Sequence, residues 1–453
     1  MIYKRFTISH YRGFQDEQVL NLAIPTADKP GSGITYIVGE NNTGKTTVIE
    51  GLFLHDQQKI RSSERQDTEL PTFQLFDSDE VLKRKVTLLR ENSYTLKEDP
   101  KIEETNAFEM IPSRRHWVSN VQDKWSIDQL TNSTIKETPR SAASNTKVSN
   151  ALKSIEADDD LFAQFIIFVQ RVIPEFSSFA IGYEENEFIE YCTKNGVKHK
   201  SDFLGDGVIS IMRILAHLFA KKERPLVIDE PELSLHPLAQ KRLLRLIAEC
   251  SEKRQIIIST HSPYFVDWEY MKNGATLNKI TKHGDKKSEI NSIDDFTTYE
   301  NLIKGANWQQ PFLMGVVAKE IFFHDNFLFV EGQEDVGLLK QDNQLSESIN
   351  LFGYGVRGKD AFEFALTLAK DLGVRYAGVI LDAGNSEGKI KEKLESNFPN
   401  YKIVQWNKED IRDKEEYTSK AKVGYFDKDG NKKEGKDVDD FEFKISEING
   451  YFN

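Results

Sequence analysis

The sequence predicts an α/β protein in two unequal parts, and three observations carry that reading. A glycine-bounded loop, GENNTGKTT (Gly39 to Thr47), follows the apolar run Ile34, Tyr36, Ile37, Val38 and opens the helical stretch TVIEGLFL. A second apolar run, in PLVIDEPELSLHP (Pro225 to Pro237), ends in Asp229 and Glu230. Beyond residue 322, short apolar runs alternate with amphipathic helices, the pattern of a parallel sheet covered on both faces. At 453 residues the chain exceeds one ordinary domain, and 39% apolar content with 11% aromatic is enough to build cores.

Composition narrows the class. No apolar run is long enough to span a bilayer. The N-terminal MIYKRFTISHYRGF lacks the apolar core and cleavage site of a signal peptide. Cys192 and Cys250 are far apart with no CxxC, which argues against a disulfide framework or a thiolate zinc site. A reducing cytoplasm is the expected location. The net charge of −12 argues against one broad basic surface, while 60 Lys and Arg leave room for a local basic groove.

Along the chain the first part spans residues 1–322 and the second 323–453. The first part is split: its motifs flank an insertion over residues 60–200, expected to be helical but without a sustained heptad repeat. Residues 120–150 are rich in Ser, Thr and Asn and read as a loop. Residues 299–322 read as a helical connector.

The first loop matches G-x-x-x-x-G-K-[ST] in the required context of strand, loop and helix. Its backbone N–H groups and the helix N-terminus form an anion cradle lined by Gly39, Asn42, Gly44 and Thr47. Lys45 is expected to reach the β- and γ-phosphates of ATP, and Thr46 to coordinate Mg²⁺. Asp229 would hold Mg²⁺ through water and Glu230 would act as general base toward the attacking water. Taken singly, Asp229 and Glu230 are an acidic strand end, and His261 after the apolar run of QIIISTHSPYF is a capping or surface histidine. Likewise Gly205 and Gly207, in SDFLGDG, are a turn before a helix. Together and in this order they resemble an ABC-type ATPase. In that family His261 corresponds to the switch histidine and Leu204–Gly207 to the signature loop, which caps the nucleotide of a second subunit. The resemblance therefore implies at least a homodimer. FTISHYRGFQDEQVLNL looks like the first hairpin of RecF and SMC heads. IPSRR (Ile111 to Arg115) resembles a segment of OLD (overcoming lysogenization defect) ATPases, its arginines facing either solvent or phosphate.

In the second part, NFLFVEG reads as a strand ending in Glu331, INLFGYGV as a second, YAGVILDAG as a third ending in Asp382, and YKIVQW as a fourth. Helices are expected over EDVGLLKQ, over GKDAFEFALTLAKDLG with Phe362, Leu366 and Ala369 on one stripe, and over SEGKIKEKLESNF. Ligands of such sheets gather at the carboxyl ends of strands, where Glu331 and Asp382 lie. This part resembles a Toprim domain, with its glutamate at Glu331, Asp335 one turn on, and VRGKD resembling the Gly-Lys segment of OLD proteins. The whole order, ABC-type P-loop ATPase with an insertion and then a Toprim-like parallel α/β domain, resembles the OLD family across nearly the full chain. That resemblance implies an ATP-gated, Mg²⁺-dependent DNA endonuclease of anti-phage defence, with Mn²⁺ an alternative metal and double-stranded DNA the substrate.

One departure stands out. Gly384 occupies the position where the family pattern has a second Asp. Mg²⁺ needs only one or two protein carboxylates, so Glu331 and Asp382 suffice for one ion, whereas a two-metal mechanism needs more. Asp335 and Glu387 are the replacements at hand, and Glu387 is equally well an acid favoured at a helix N-terminus. The last stretch is charged and mixed; FDKDGNKKEGKD reads as a hairpin turn at Asp429-Gly430 rather than a calcium loop, and Lys420 or Lys422 could meet DNA phosphate. Two other readings stay open: a regulatory ATPase whose second domain is a scaffold for a partner effector, and a repair ATPase of RecF type.

Overall fold

Strongly apolar segments form the centre of each part of this computed structural model. It describes residues 2–53, 70–88, 96–99, 108–113, 151–183, 187–200, 206–220, 224–283, 287–296, 299, 317–342, 344–353, 355–356, 358–384, 387–415 and 421–452. The chain divides into two compact units, Met1–Asp295 and Phe296–Asn453. The sequence reading places the division near residue 322, whereas the first compact unit ends at Asp295.

In the first unit, β1 (Tyr3–Ser9) pairs antiparallel with β2 (Gln18–Asn21), and β3 (Ile34–Val38) leads into α1 (Lys45–Phe53). Strands β4 (Thr72–Asp77), β5 (Leu82–Leu88) and β6 (Leu96–Asp99) extend the sheet of β1 in the order β2-β1-β4-β5-β6. After β7 (Glu109–Ile111) come α2 (Asp159–Gln170), then β8 (Phe176–Tyr183), β9 (Glu187–Thr193) and β10 (Lys198–Lys200), which form a small antiparallel sheet. Then follow α3 (Asp206–Phe219), β11 (Leu226–Asp229), α4 (Pro237–Cys250), β12 (Ile256–Ser259), β13 (Thr276–His283) and β14 (Lys287–Ile293).

The central sheet runs β14-β13-β3-β12-β11-β7, parallel except for β14. Its middle strands β3, β11 and β12 are buried at every position, as expected of strands covered on both faces. Helix α1 supplies Val48, Ile49 and Leu52 to a core shared with Phe6, Ile8, Phe73 and Leu75 of the antiparallel sheet and Ile37, Val227 and Ile257 of the central one.

Residues 60–200 differ from the helical insertion the sequence predicts. Their described part contains seven strands, and β4 and β5 belong to the sheet of β1 while β7 borders β11. The reason is visible in TFQLFD, where Phe73, Leu75 and Asp77 are buried and alternate residues are not: period two, which forms strands.

In the second unit β15 (Asn326–Phe329), β16 (Tyr376–Leu381) and β17 (Lys402–Gln405) form a parallel sheet in that order. Between them lie α5 (Gln333–Gln341), α6 (Phe362–Asp371) and α7 (Glu387–Asn397), and α8 (Lys436–Phe452) closes the unit. INLFGYGV is not a fourth strand. It lies beside β15, with Leu328 N–H donating to Asn350 and Phe352 N–H to Leu328, but only as isolated bridges. Gly353 (φ 45°) and Gly355 (φ 77°) take the left-handed conformation and stop the ladder. The charged tail contains a 17-residue helix that the sequence reading missed, α8, whose Phe441, Ile445, Ile448 and Phe452 join the core with Leu328, Ile380 and Val404. The turn at Asp429-Gly430 is present, with Gly430 at φ 85° and Asp427 N–H donating to Asn431 O at 2.8 Å. No helix among the described residues is long and apolar enough to cross a membrane.

Candidate functional sites

The glycine-bounded loop of the first unit is shaped by its backbone. Gly39, Asn42 and Gly44 have φ of 137°, 62° and 122°, conformations that side chains disfavour and that turn the loop back on itself. A Cβ at Gly39 would run into the carbonyl oxygen of Ile280. Ser288 Oγ donates to Thr43 O at 2.7 Å and Thr43 Oγ1 to Glu40 O at 2.9 Å, which hold the loop from both sides. Lys45, the first residue of α1, is buried and donates through Nζ to Gly39 O at 2.9 Å and Glu40 O at 2.6 Å. Burial pulls its pKa down to about 8, against the opposing charges of Glu230 and Asp229. Thr46 is exposed at the mouth of the loop; Thr47 is buried and accepts from Arg12 Nη1 at 3.4 Å.

Sheet order brings the other residues to this loop. β11 and β12 align Asp229 with Ser259, and β12 and β3 align Ser259 with Ile37, so the strand ends are level. Asp229 is buried, while Glu230 turns sharply at φ 47° and its N–H donates to Ser259 O at 2.8 Å. His261 Nε2 stands 3.9 Å from Glu230 Oε1. Burial first, then the charge of Lys45, pulls the His261 pKa down to about 4, so the ring is neutral near pH 7 and this contact is not an ion pair. Gly207 sits in the first turn of α3, where a Cβ would strike the Ser234 carbonyl; Gly205 lies outside the described residues, as do Arg114 and Arg115.

In the second unit Glu331 follows β15, and Asp335, in the first turn of α5, accepts from Gly332 N–H at 2.7 Å through Oδ2. Asp382 follows β16 directly. Burial, then Asp335, Asp410 and Glu331, push its pKa up to about 8, with Lys422 opposing. Burial pushes Asp335 up to about 6, assisted by Asp410 and Glu331. These four carboxylates thus share one electrostatic neighbourhood.

Asp410 was not identified in the sequence. It lies in a polar loop beyond β17, is nearly inaccessible, and accepts from Lys414 Nζ at 2.7 Å and Lys422 Nζ at 3.0 Å. Lys414 also pairs with Glu334 at 3.1 Å, and Arg412 pairs with the same carboxylate. No spacing rule marks this loop; only the fold brings it in. Gly384 is exposed, the Glu387 side chain and Lys420 lie outside the described residues, and Lys422 is spent on Asp410.

Among the described residues no group of three or more His, Cys, Asp or Glu is arranged to hold a metal ion. The donor chemistry nonetheless fits a hard divalent cation. Burial and neighbouring carboxylates raise the pKa of Asp382 and Asp335, so ionising them is costly and a cation would offset that cost; Mg²⁺ takes only one or two carboxylates with water.

Residues 113–267 match the family described as AAA domain, putative AbiEii toxin, Type IV TA system. The chain is 30% identical over 186 residues to an OLD nuclease of Thermus scotoductus, a match that spans 38% of this chain and 33% of that protein. The SMC head domain from Thermotoga maritima covers 65% of this chain over its whole length, at 14% identity and a TM-score of 0.39. An Smc head with an extended coiled coil from Pyrococcus furiosus, bound to the C-terminal domain of ScpA, covers 68% at 11% identity and a TM-score of 0.44.

Proposed function

For this relative of the OLD nucleases we propose an ATP-gated, Mg²⁺-dependent DNA endonuclease acting in prokaryotic anti-phage defence. The observation that carries the proposal is the electrostatic neighbourhood shared by Glu331, Asp335, Asp382 and Asp410 in the second unit, in a chain that also has a phosphate-loop sequence. In the first unit Lys45 would leave the loop carbonyls for the phosphates of ATP, Thr46 and Asp229 would hold its Mg²⁺, and Glu230 would accept a proton from the attacking water beside a neutral His261. The α3 end at Gly207 would cap the nucleotide of a second copy, which makes an ABC-type homodimer the working unit and nucleotide binding a ligand-biased two-state step.

In the second unit Glu331 and Asp382 would hold Mg²⁺ or Mn²⁺, with Asp335 and Glu387 as further carboxylates. A divalent ion there supplies charge stabilisation to the scissile phosphate and lowers the pKa of bound water. Such a Toprim-like site, acting on double-stranded DNA in the cytoplasm, is what the sequence resemblance implies.

A second reading is a regulatory ATPase whose second unit is a scaffold for a partner effector. The pairing of Asp410 with Lys414 and Lys422 and the glycine at position 384 favour it. Supercoiled plasmid incubated with the full chain, ATP and Mg²⁺ or Mn²⁺ separates the two. The nuclease reading expects nicking that falls at least about 100-fold in Asp382→Ala while ATP hydrolysis persists, and Lys45→Ala to lose hydrolysis. Intact plasmid under every nucleotide and metal condition would leave the scaffold reading.

A further inference from the structure

The turn after Asp229 and Glu230 carries a third acid for which the proposed reaction has no role. Glu232 Oε1 accepts from the backbone N–H of His261 at 2.6 Å, and Oε2 accepts from the Thr260 hydroxyl at 2.8 Å. Thr260 Oγ1 in turn accepts from Ser262 N–H at 2.9 Å, and Ser262 Oγ donates to Gln240 Oε1 at 2.6 Å on α4. Thr260 and Ser262 are buried, and the Thr260 N–H donates to Ile37 O at the end of β3. The backbone that carries His261 is therefore held on one side by the strand leading to the phosphate loop and on the other by Glu232. Both donors are met at once because a carboxylate has two acceptor oxygens where a glutamine has one.

We infer that Glu232 is a positioning residue for His261: its two oxygens fix the backbone of residues 260–262 and so set where the imidazole stands against Glu230 and a bound nucleotide. The inference rests on the ATPase reading of this site. It assigns Glu232 no proton transfer and no contact with ATP. Its whole effect passes through His261, which separates it from an acid that merely supports the fold.

A double-mutant cycle in the full chain tests this directly. The variants are Glu232→Ala, Glu232→Gln, Thr260→Val, His261→Ala and the double variant Glu232→Ala/His261→Ala. Each is assayed for steady-state ATP hydrolysis, for binding of a fluorescent non-hydrolysable ATP analogue, and by thermal melting. Glu232→Ala is expected to lower kcat about 10- to 100-fold with analogue affinity within about twofold, because phosphate binding belongs to the Lys45 loop. Glu232→Gln, which keeps one acceptor, should fall between it and the parent. The double variant should be no slower than His261→Ala alone, since residues acting through one another are not additive. A double variant whose defect equals the product of the two single defects overturns the inference. If Glu232→Ala melts out, the same cycle run with Glu232→Gln and the double variant Glu232→Gln/His261→Ala decides it on the same criterion. A parent that hydrolyses no ATP removes the ATPase reading and the inference with it. A parent that hydrolyses ATP in a Lys45-dependent way, with a multiplicative cycle, removes the inference alone.

Discussion

Both candidate sites lie where parallel strands end, yet they are held together by opposite means. The phosphate loop is built by backbone: three residues at positive φ, a lysine folded onto carbonyls, and hydroxyls that lock the turn. Its lysine is held by two loop carbonyls and faces the charges of Glu230 and Asp229. The acidic site of the second unit is built by side chains whose charges oppose one another, relieved in part by Lys414 and Lys422. The difference teaches that a backbone-made site holds its shape through its own hydrogen bonds, whereas a carboxylate-made site carries an electrostatic penalty whenever its buried groups ionise.

The two units are compared most forcefully through one ion pair in each. Arg254 Nη2 donates to Glu109 Oε2 at 2.7 Å with both side chains under a tenth exposed, and the same guanidinium donates to Arg224 O and His217 O. It thereby joins β7, the end of α3 and the entry to β11. Arg254→Ala removes a guanidinium from a buried carboxylate and two buried carbonyls and should cost about 3–5 kcal/mol in urea unfolding. Lys422→Ala, by contrast, removes a side chain 36% exposed from an aspartate that keeps Lys414. Its cost should stay near 1 kcal/mol. Equal losses would mean that the buried and the half-exposed pair contribute alike.

A pH titration sharpens the comparison next. Asp382 is pushed up to about 8 and Asp335 to about 6, both above the ordinary carboxylate range. A carboxyl with a raised folded-state pKa is bound to its proton more tightly when folded. The resulting stability is complete below the unfolded pKa near 4 and is lost as pH rises through about 8. In chelator, the parent should therefore lose about 5 °C more of melting temperature than Asp382→Asn between pH 5 and pH 8. Millimolar Mg²⁺ should restore the loss at pH 8 and do little at pH 5. Parallel pH profiles for the two proteins would contradict this.

The smallest stability effect belongs to Gly384→Asp. The position is exposed, so the melting temperature should move by no more than about 1 °C. A further carboxylate beside Asp382 should tighten divalent-cation binding about tenfold. Unchanged affinity would place residue 384 outside the acidic site.

How much of this was legible in the sequence follows from the same contrast. The phosphate loop, Asp229, Glu230 and His261 each follow an apolar run, and the level strand ends explain why that pattern found them. Glu331 and Asp382 were found likewise. Asp410, Glu232 and Arg254 were not, because their roles depend on partners brought in by the fold: Asp410 meets Asp382 from a loop after β17, and Arg254 meets Glu109 across 145 positions. Strands β4 and β5 were absorbed into an insertion because no motif marked them, although TFQLFD alternates. Helix α8 was hidden by charge: its sequence KDVDDFEFKISEINGYF has a narrow apolar stripe among acids and lysines.

The central claim, that the strand-end carboxylates of the second unit form a divalent-cation site, is tested most directly by Mn²⁺ titration of the nucleotide-free full chain in a calorimeter at pH 8. Without nucleotide the Mg²⁺ site proposed for the first unit would lack its phosphates, so heat would report the second unit. Binding that is present in the parent, undiminished in Lys45→Ala and lost in Asp382→Ala is the expected result. No binding in the parent, or binding that Asp382→Ala leaves intact, would contradict it.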